Sequence, residues 1–115
     1  MRLPAIYISH GGGPWPFVDI PFIPPGELDD LEAYLRTLVT SLPAAPRAIL
    51  MVSAHWEAPV PTLMTNPHPP MLYDYYGFAP EAYRLQWPAP TAGFLVGRVR
   101  ELIQGAGFPV AEDPE

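Results

Sequence analysis

Three histidines are the only imidazoles in the chain: His10, His55 and His68. His10 stands in Ile8-Ser9-His10-Gly11-Gly12-Gly13-Pro14 and His55 in Val52-Ser53-Ala54-His55-Trp56-Glu57. Each closely follows a short apolar run that favours a β-strand, so both are expected at the carboxyl ends of strands. Ligand sites in open α/β sheets lie at those ends. If the two strands are parallel neighbours, their ends are about 4.8 Å apart. Two imidazoles could then converge on one metal at about 2.0–2.1 Å from each nitrogen, and neutral imidazole suits zinc and non-haem iron. The same residues would serve equally as strand-end histidines bonded to backbone, and the residue types alone leave both readings open.

The three glycines after His10 let the backbone turn sharply and pass close to a ligand. They match neither the dinucleotide fingerprint nor the P-loop, and Pro14-Trp15-Pro16 stands where a phosphate-binding helix would begin. Nucleophilic catalysis is poorly supported too. Ser9 and His10 point to opposite faces of a strand, and Ser53 with His55 lacks the surround of a nucleophile elbow. A third feature is Asn66-Pro67-His68-Pro69-Pro70, followed by Tyr73-Asp74-Tyr75-Tyr76-Gly77-Phe78. Its rings read either as core cover or a subunit contact, or as a wall for a planar substrate. His68, Tyr73 and Tyr76 are the candidate substrate contacts, with His68 able to donate to an anionic ligand or move a proton.

The elements that must position these groups are marked out by proline. Residues 26–42, 47–58 and 91–108 are free of it, and proline is excluded from helix interiors and central strands. Residues 5–9 predict a first strand and residues 48–53 a second, apolar on both faces as in a covered parallel sheet. Between them, residues 27–42 place Leu28, Leu31, Leu35, Leu38, Val39 and Leu42 at helical spacing. That strand–helix–strand order predicts a parallel pair with a right-handed crossover. Residues 60–65 predict an edge-like strand containing Pro61, and residues 81–84 a turn of helix. Residues 91–106 predict a second helix stopped by Gly105 or Gly107. Phe108-Pro109-Val110 is expected to open a further strand.

Composition bounds what such a chain can do. Of 115 residues, 18 are proline and 9 glycine, yet 49% are hydrophobic. Disordered chains lack that apolar content, so short elements joined by stiff loops are expected. Six arginines and no lysine face 12 acidic residues, a net charge of −6. There is no electrostatic footprint for nucleic acid and no polybasic patch for anionic lipid. Charged residues make up only 16%, which hints at surface that is normally covered and leaves a homo-oligomer open. With no cysteine there is neither a disulfide framework nor a thiolate site. The opening Met1-Arg2-Leu3-Pro4 does not predict a signal peptide, and a cytoplasmic location is expected.

Taken in order, several segments resemble the 4,5-DOPA extradiol dioxygenase family, within the LigB-type class III ring-cleavage superfamily. They are Ser9-His10-Gly11-Gly12-Gly13-Pro14, Pro46-Arg47-Ala48-Ile49, Ser53-Ala54-His55-Trp56-Glu57, Tyr73-Asp74-Tyr75-Tyr76-Gly77-Phe78, Tyr83-Arg84-Leu85 and Trp87-Pro88-Ala89-Pro90. The match runs over residues 6–90. The resemblance implies a three-layer α/β/α fold with a mainly parallel central sheet, of which residues 1–115 are an incomplete N-terminal part of one catalytic domain. It implies a mononuclear metal, Fe(II) or Zn(II), with His10 and His55 as two of its ligands. It implies O2-dependent opening of a catechol ring, with a small aromatic diol and O2 as partners. A facial site needs three protein ligands. The resemblance places the third ligand and the acid–base histidine beyond residue 115, so this chain alone is expected to be inactive. Two other classes stay open: a non-catalytic metal-binding or assembly module, and a zinc hydrolase in which a carboxylate joins His10 and His55 to activate water.

Overall fold

A computed structural model describes residues 3–8, 11–18 and 20–115. The chain divides into two compact units. One comprises Met1–Arg47 and Tyr73–Leu85, the other Ala48–Leu72 and Gln86–Glu115.

In the first unit, helix α1 spans Asp29–Thr37. Gly26, at φ +85°, turns the chain into it. Asp29, Asp30 and Glu32 occupy its first turn and Arg36 its last, the arrangement that the helix dipole favours. Leu28, Leu31, Leu35 and Leu38 are half-buried along one face, as their spacing requires. The helix ends earlier than residue 42. The hydroxyl of Thr37 donates to the Ala33 carbonyl (2.7 Å), that of Thr40 to Thr37 (2.8 Å) and that of Ser41 to Leu38 (2.7 Å). Such local bonds compete with regular helix and turn residues 38–42 into a series of tight turns. A short 3₁₀ helix, Pro80–Arg84, lies in the same unit and contains Ala82, which is wholly buried.

The second unit is a parallel βαβ arrangement. Strand β1 (Thr62–Met64) pairs with β2 (Ala111–Asp113) in the register Thr62↔Ala111, Leu63↔Glu112, Met64↔Asp113. Helix α2 (Gly93–Gly105) packs on β1. Pro61 sits just outside β1, where its missing N–H costs nothing, and its carbonyl accepts from the Ala111 amide (3.0 Å). Gly107, not Gly105, ends α2. At φ +85° its N–H reaches the Gln104 carbonyl (2.9 Å) while Phe108 N–H reaches Ile103 (3.2 Å), which is a Schellman motif. The side chains of Arg100 on α2 and Glu112 on β2 form an ion pair.

The fold is therefore α/β with a parallel sheet, but the parallel pair is not the expected one. Residues 5–8 and 48–53 carry no strand. A strand exists only when a neighbour takes its backbone groups, and neither run finds one among the described residues. The apolar side chains along residues 49–52 stay in solvent, with Val52 86% exposed. The pair that does form is flanked by α2, whose packing on β1 stabilises so short a sheet. No described helix is long and apolar enough to cross a membrane.

Candidate functional site

The loop that follows His10 and the tyrosine-rich segment meet in the first unit. Phe17 N–H donates to the Pro14 carbonyl (2.9 Å), closing a turn in which Pro14 and Pro16 are buried. Gly13 is at φ +62°, and a Cβ there would lie 2.7 Å from Cε2 and Cζ of Phe78. Only glycine fits both that conformation and that approach. Around Phe78 the rings form a knot. Tyr75 stands edge-on to Phe78 (5.3 Å between centroids) and to Tyr73 (6.0 Å), and tilts against Tyr83 (5.3 Å). Edge-to-face pairs of this kind contribute about 0.5–1.5 kcal/mol each beyond their buried area. The hydroxyl of Tyr75 donates to the Ala82 carbonyl (2.6 Å), that of Tyr73 to the Leu85 carbonyl and that of Tyr83 to the Tyr75 carbonyl (3.4 Å). Burial pushes the Tyr75 hydroxyl above its ordinary pKa, with Tyr73, Tyr83 and Asp74 adding to the shift.

The two tyrosines expected at a substrate are placed differently. Tyr73 is half-buried in the knot with its hydroxyl engaged, whereas Tyr76 turns outward and is 91% exposed. Gly77, at φ +79°, allows the reversal between Tyr76 and Phe78. Sequence reasoning read the rings of Tyr75 and Phe78 as core cover, a subunit contact or a substrate wall, and named Tyr83 only within a family motif. Their signal was the alternation of Tyr73 and Tyr75, which puts both rings on one side of an extended segment.

The second unit carries the other two imidazoles. His55 is exposed in a bend, its backbone N–H donating to Ser53 Oγ (3.1 Å). His68 is exposed as well, its N–H donating to Asn66 Oδ1 (2.8 Å) in an Asx turn. The Pro67 carbonyl accepts from Thr91 N–H (3.2 Å), tying this loop to the approach to α2. His10 and Ser9 lie outside the described residues. Among the described residues no three His, Cys, Asp or Glu side chains come together as a metal site. The described residues therefore do not by themselves fit a three-ligand metal centre.

A groove of about 270 Å³ adjoins the same glycine loop, lined by Pro16, Phe17, Val18, Glu32 and Glu81. Arg36 bridges part of its wall, 5.1 Å above the Phe17 ring and 2.6 Å from Glu32 Oε1. None of the candidate site residues lines it.

Comparison with known proteins supplies first a class, that of dioxygenases. The chain is 37% identical over 91 residues to the dioxygenase tasH of Hapsidospora irregularis, a match covering 75% of this chain and 27% of that protein. More particularly, it is similar to proteins named 4,5-DOPA dioxygenase extradiol. That of Beta vulgaris is 36% identical over 104 residues, covering 90% of this chain and 36% of the relative. That of Escherichia coli is 33% identical over 117 residues, covering 99% of this chain and 38% of the relative. The chain is thus related by sequence to the 4,5-DOPA extradiol dioxygenases, as its motifs indicated, and spans between about a quarter and two fifths of the length of these curated relatives. No family model matches it. No solved structure matches it either.

Proposed function

We propose that the protein acts in the extradiol ring opening of a catechol, a DOPA-like aromatic diol, with O2 at a mononuclear metal centre that needs Fe(II) for the redox step and could also hold redox-inert Zn(II). In this reading residues 1–115 form the N-terminal part of a three-layer α/β/α catalytic domain with a mainly parallel sheet. The observation that carries it is the similarity to extradiol dioxygenases along 99% of the chain. His10 and His55 contribute two metal ligands, and the third ligand and the acid–base histidine come from polypeptide of the relatives that this chain does not span. His55 is exposed in a bend, with its backbone N–H on Ser53 Oγ. Among the tyrosines we assign the substrate contact to Tyr76, whose ring is free to stack on a planar ligand. Tyr73 is instead committed to Leu85 and the neighbouring rings. His68, exposed on its loop, is the second assigned contact.

The test is a cobalt(II) titration of the purified chain beside oxygen uptake with Fe(II) and a simple catechol. Weak cobalt binding that is lost in His10→Ala and in His55→Ala is expected, with little or no ring opening. Binding indifferent to both substitutions overturns the ligand assignment. Measurable turnover by the chain overturns its proposed incompleteness. The exposed apolar run at residues 49–52 favours a second reading, a metal-independent assembly module. Cooperative, monodisperse folding with no metal bound is its signature.

A further inference from the structure

Residues 48–53, Ala48-Ile49-Leu50-Met51-Val52-Ser53, contain no charge, no proline and no glycine. They are free of turns and lie between bends at residue 47 and residues 54–56. Exposure climbs along them, from 55% at Ile49 to 86% at Val52. The run pairs with no strand among the described residues. An uncharged, β-favouring segment with open edges is a template for another strand. The usual safeguards are a proline or a charge within the edge, and the run has neither. Other exposed apolar groups lack this combination. Phe22 tips a turn between Pro21 and Pro24, and residues 5–8 make a shorter run behind Pro4. Proline withholds the amide that a ladder needs.

The flanking residues select the partner. Arg47 precedes the run and Glu57 follows it. Parallel pairing of two copies would set like charges side by side, whereas antiparallel pairing sets the Arg47 end of one beside the Glu57 end of the other. A two-fold axis at Leu50 places Ile49 across from Met51 and Ala48 across from Val52, and an axis at Met51 places Leu50 across from Val52. Growth beyond two copies is blocked by bulk. Stacked strands repeat about every 4.8 Å, but each copy carries α2 in the same unit, and a helix with its side chains is about 10 Å wide.

We propose that residues 48–53 are a docking strand for a second copy of this chain, the two runs pairing antiparallel about a two-fold axis at Leu50 or Met51. The pair is weak and concentration-dependent, because two strands alone make a marginal sheet. It needs only the exposed run and does not rest on the ring-opening reading.

The chain has no cysteine, so a single introduced thiol reports how near it lies to its own copy. Leu50→Cys, Met51→Cys and Ser53→Cys are oxidised with glutathione disulfide in the full chain. Sedimentation follows wild type, Val52→Asp, Met51→Lys and Tyr7→Asp over a range of concentrations. Of the two central cysteine variants, the one on the axis is expected to cross-link to a dimer. Ser53→Cys should not, because antiparallel pairing holds its copies at least about 13 Å apart and a disulfide needs Cα atoms within about 7 Å. Wild type should pass reversibly from monomer to dimer and no further. Val52→Asp and Met51→Lys, opposite in charge, should each weaken dimerisation about tenfold. Tyr7→Asp adds an acid to the other exposed run and should change it by no more than about twofold. Helix dichroism checks that each variant is folded, and if Val52→Asp is not, Met51→Lys decides. A wild type that stays monomeric at every concentration overturns the proposal, and so does growth past two copies. Cross-linking at Ser53 as readily as at the centre means parallel or unspecific contact and overturns it too. Equal weakening by Tyr7→Asp moves the interface to residues 5–8, with the same consequence.

Discussion

Residues 73–85 and residues 48–56 both carry motif residues, and they are organised in opposite ways. The first stretch is held by its own side chains. Tyr73, Tyr75 and Tyr83 place their hydroxyls on the carbonyls of Leu85, Ala82 and Tyr75, none more than 12 residues away. The second stretch is richer in β-branched and large apolar residues, yet Ile49 to Val52 lie exposed and pair with no strand among the described residues. The difference is one of range. A knot of neighbouring tyrosines closes from local contacts, which cost little chain entropy. A strand apolar on both faces needs distant partners on two edges and two faces before any of its surface is buried.

The largest expected effect comes from attacking the locally closed region at its centre. Tyr75→Ala removes three ring contacts and the 2.6 Å bond to Ala82. A loss of about 3 kcal/mol is expected in the first unit, read as faster amide exchange at residues 81–85 and loss of near-ultraviolet tyrosine dichroism. Exchange in α2 should stay as it was. If the loss is shared equally by α2, the knot is not self-supporting and the contrast between local and distant closure collapses.

Alkali probes the same ring more gently. The Tyr75 pKa is raised in the folded chain, chiefly by burial. Its contribution to stability is therefore fully present below about pH 10, the unfolded value, and is lost as pH rises through the higher folded value. Phenolate absorbance near 295 nm should show one tyrosine titrating late, with tyrosine dichroism fading as it ionises. In Tyr75→Phe the late step should vanish. A late step that survives assigns it to another ring.

Gly107 offers a test in the second unit, where closure runs through a backbone ladder instead of side chains. Gly107→Ala puts a Cβ on a residue at φ +85°, at a cost of about 1–2 kcal/mol. Thermal unfolding followed by helix dichroism should fall accordingly, since the turn delivers the chain from α2 to β2. An unchanged midpoint would show that the Schellman turn contributes nothing to the parallel pair.

What could be read from the sequence follows the same division. The face of α1, the turn at Pro80–Arg84, α2 and the edge strand beside Pro61 were legible because each is written in local spacing or in the position of a proline or glycine. The family motifs were legible too, because they are strings. The pairing of strands was not. Apolar runs at residues 5–9 and 48–53 announce strands without naming their partners, and β2 formed at Ala111–Asp113, one residue beyond Phe108-Pro109-Val110, where two acidic residues gave little β signal. Within the site, Tyr73 and Tyr76 looked alike as letters. Only the surroundings of each ring, one turned onto Leu85 and the other into solvent, set the two apart.

The smallest expected effect sharpens the comparison most, because it predicts tolerance at an apolar position. Val52 would be a poor site for a charge if its run were already a buried strand, and Val52→Asp would then cost several kcal/mol through an unpaired buried carboxylate. In this chain Val52 is 86% exposed. Val52→Asp is therefore expected to change the stability by no more than about 0.5 kcal/mol, as exposed substitutions generally do, and to raise solubility by breaking a run of consecutive apolar side chains. Urea unfolding of the second unit, followed by α2 dichroism, reads the first effect. A loss above about 1.5 kcal/mol would place residues 48–53 in contact with β1, β2 or α2 and turn the apparent contrast between the two regions into a difference of degree. A null result keeps the contrast and identifies the run as surface that awaits a partner strand.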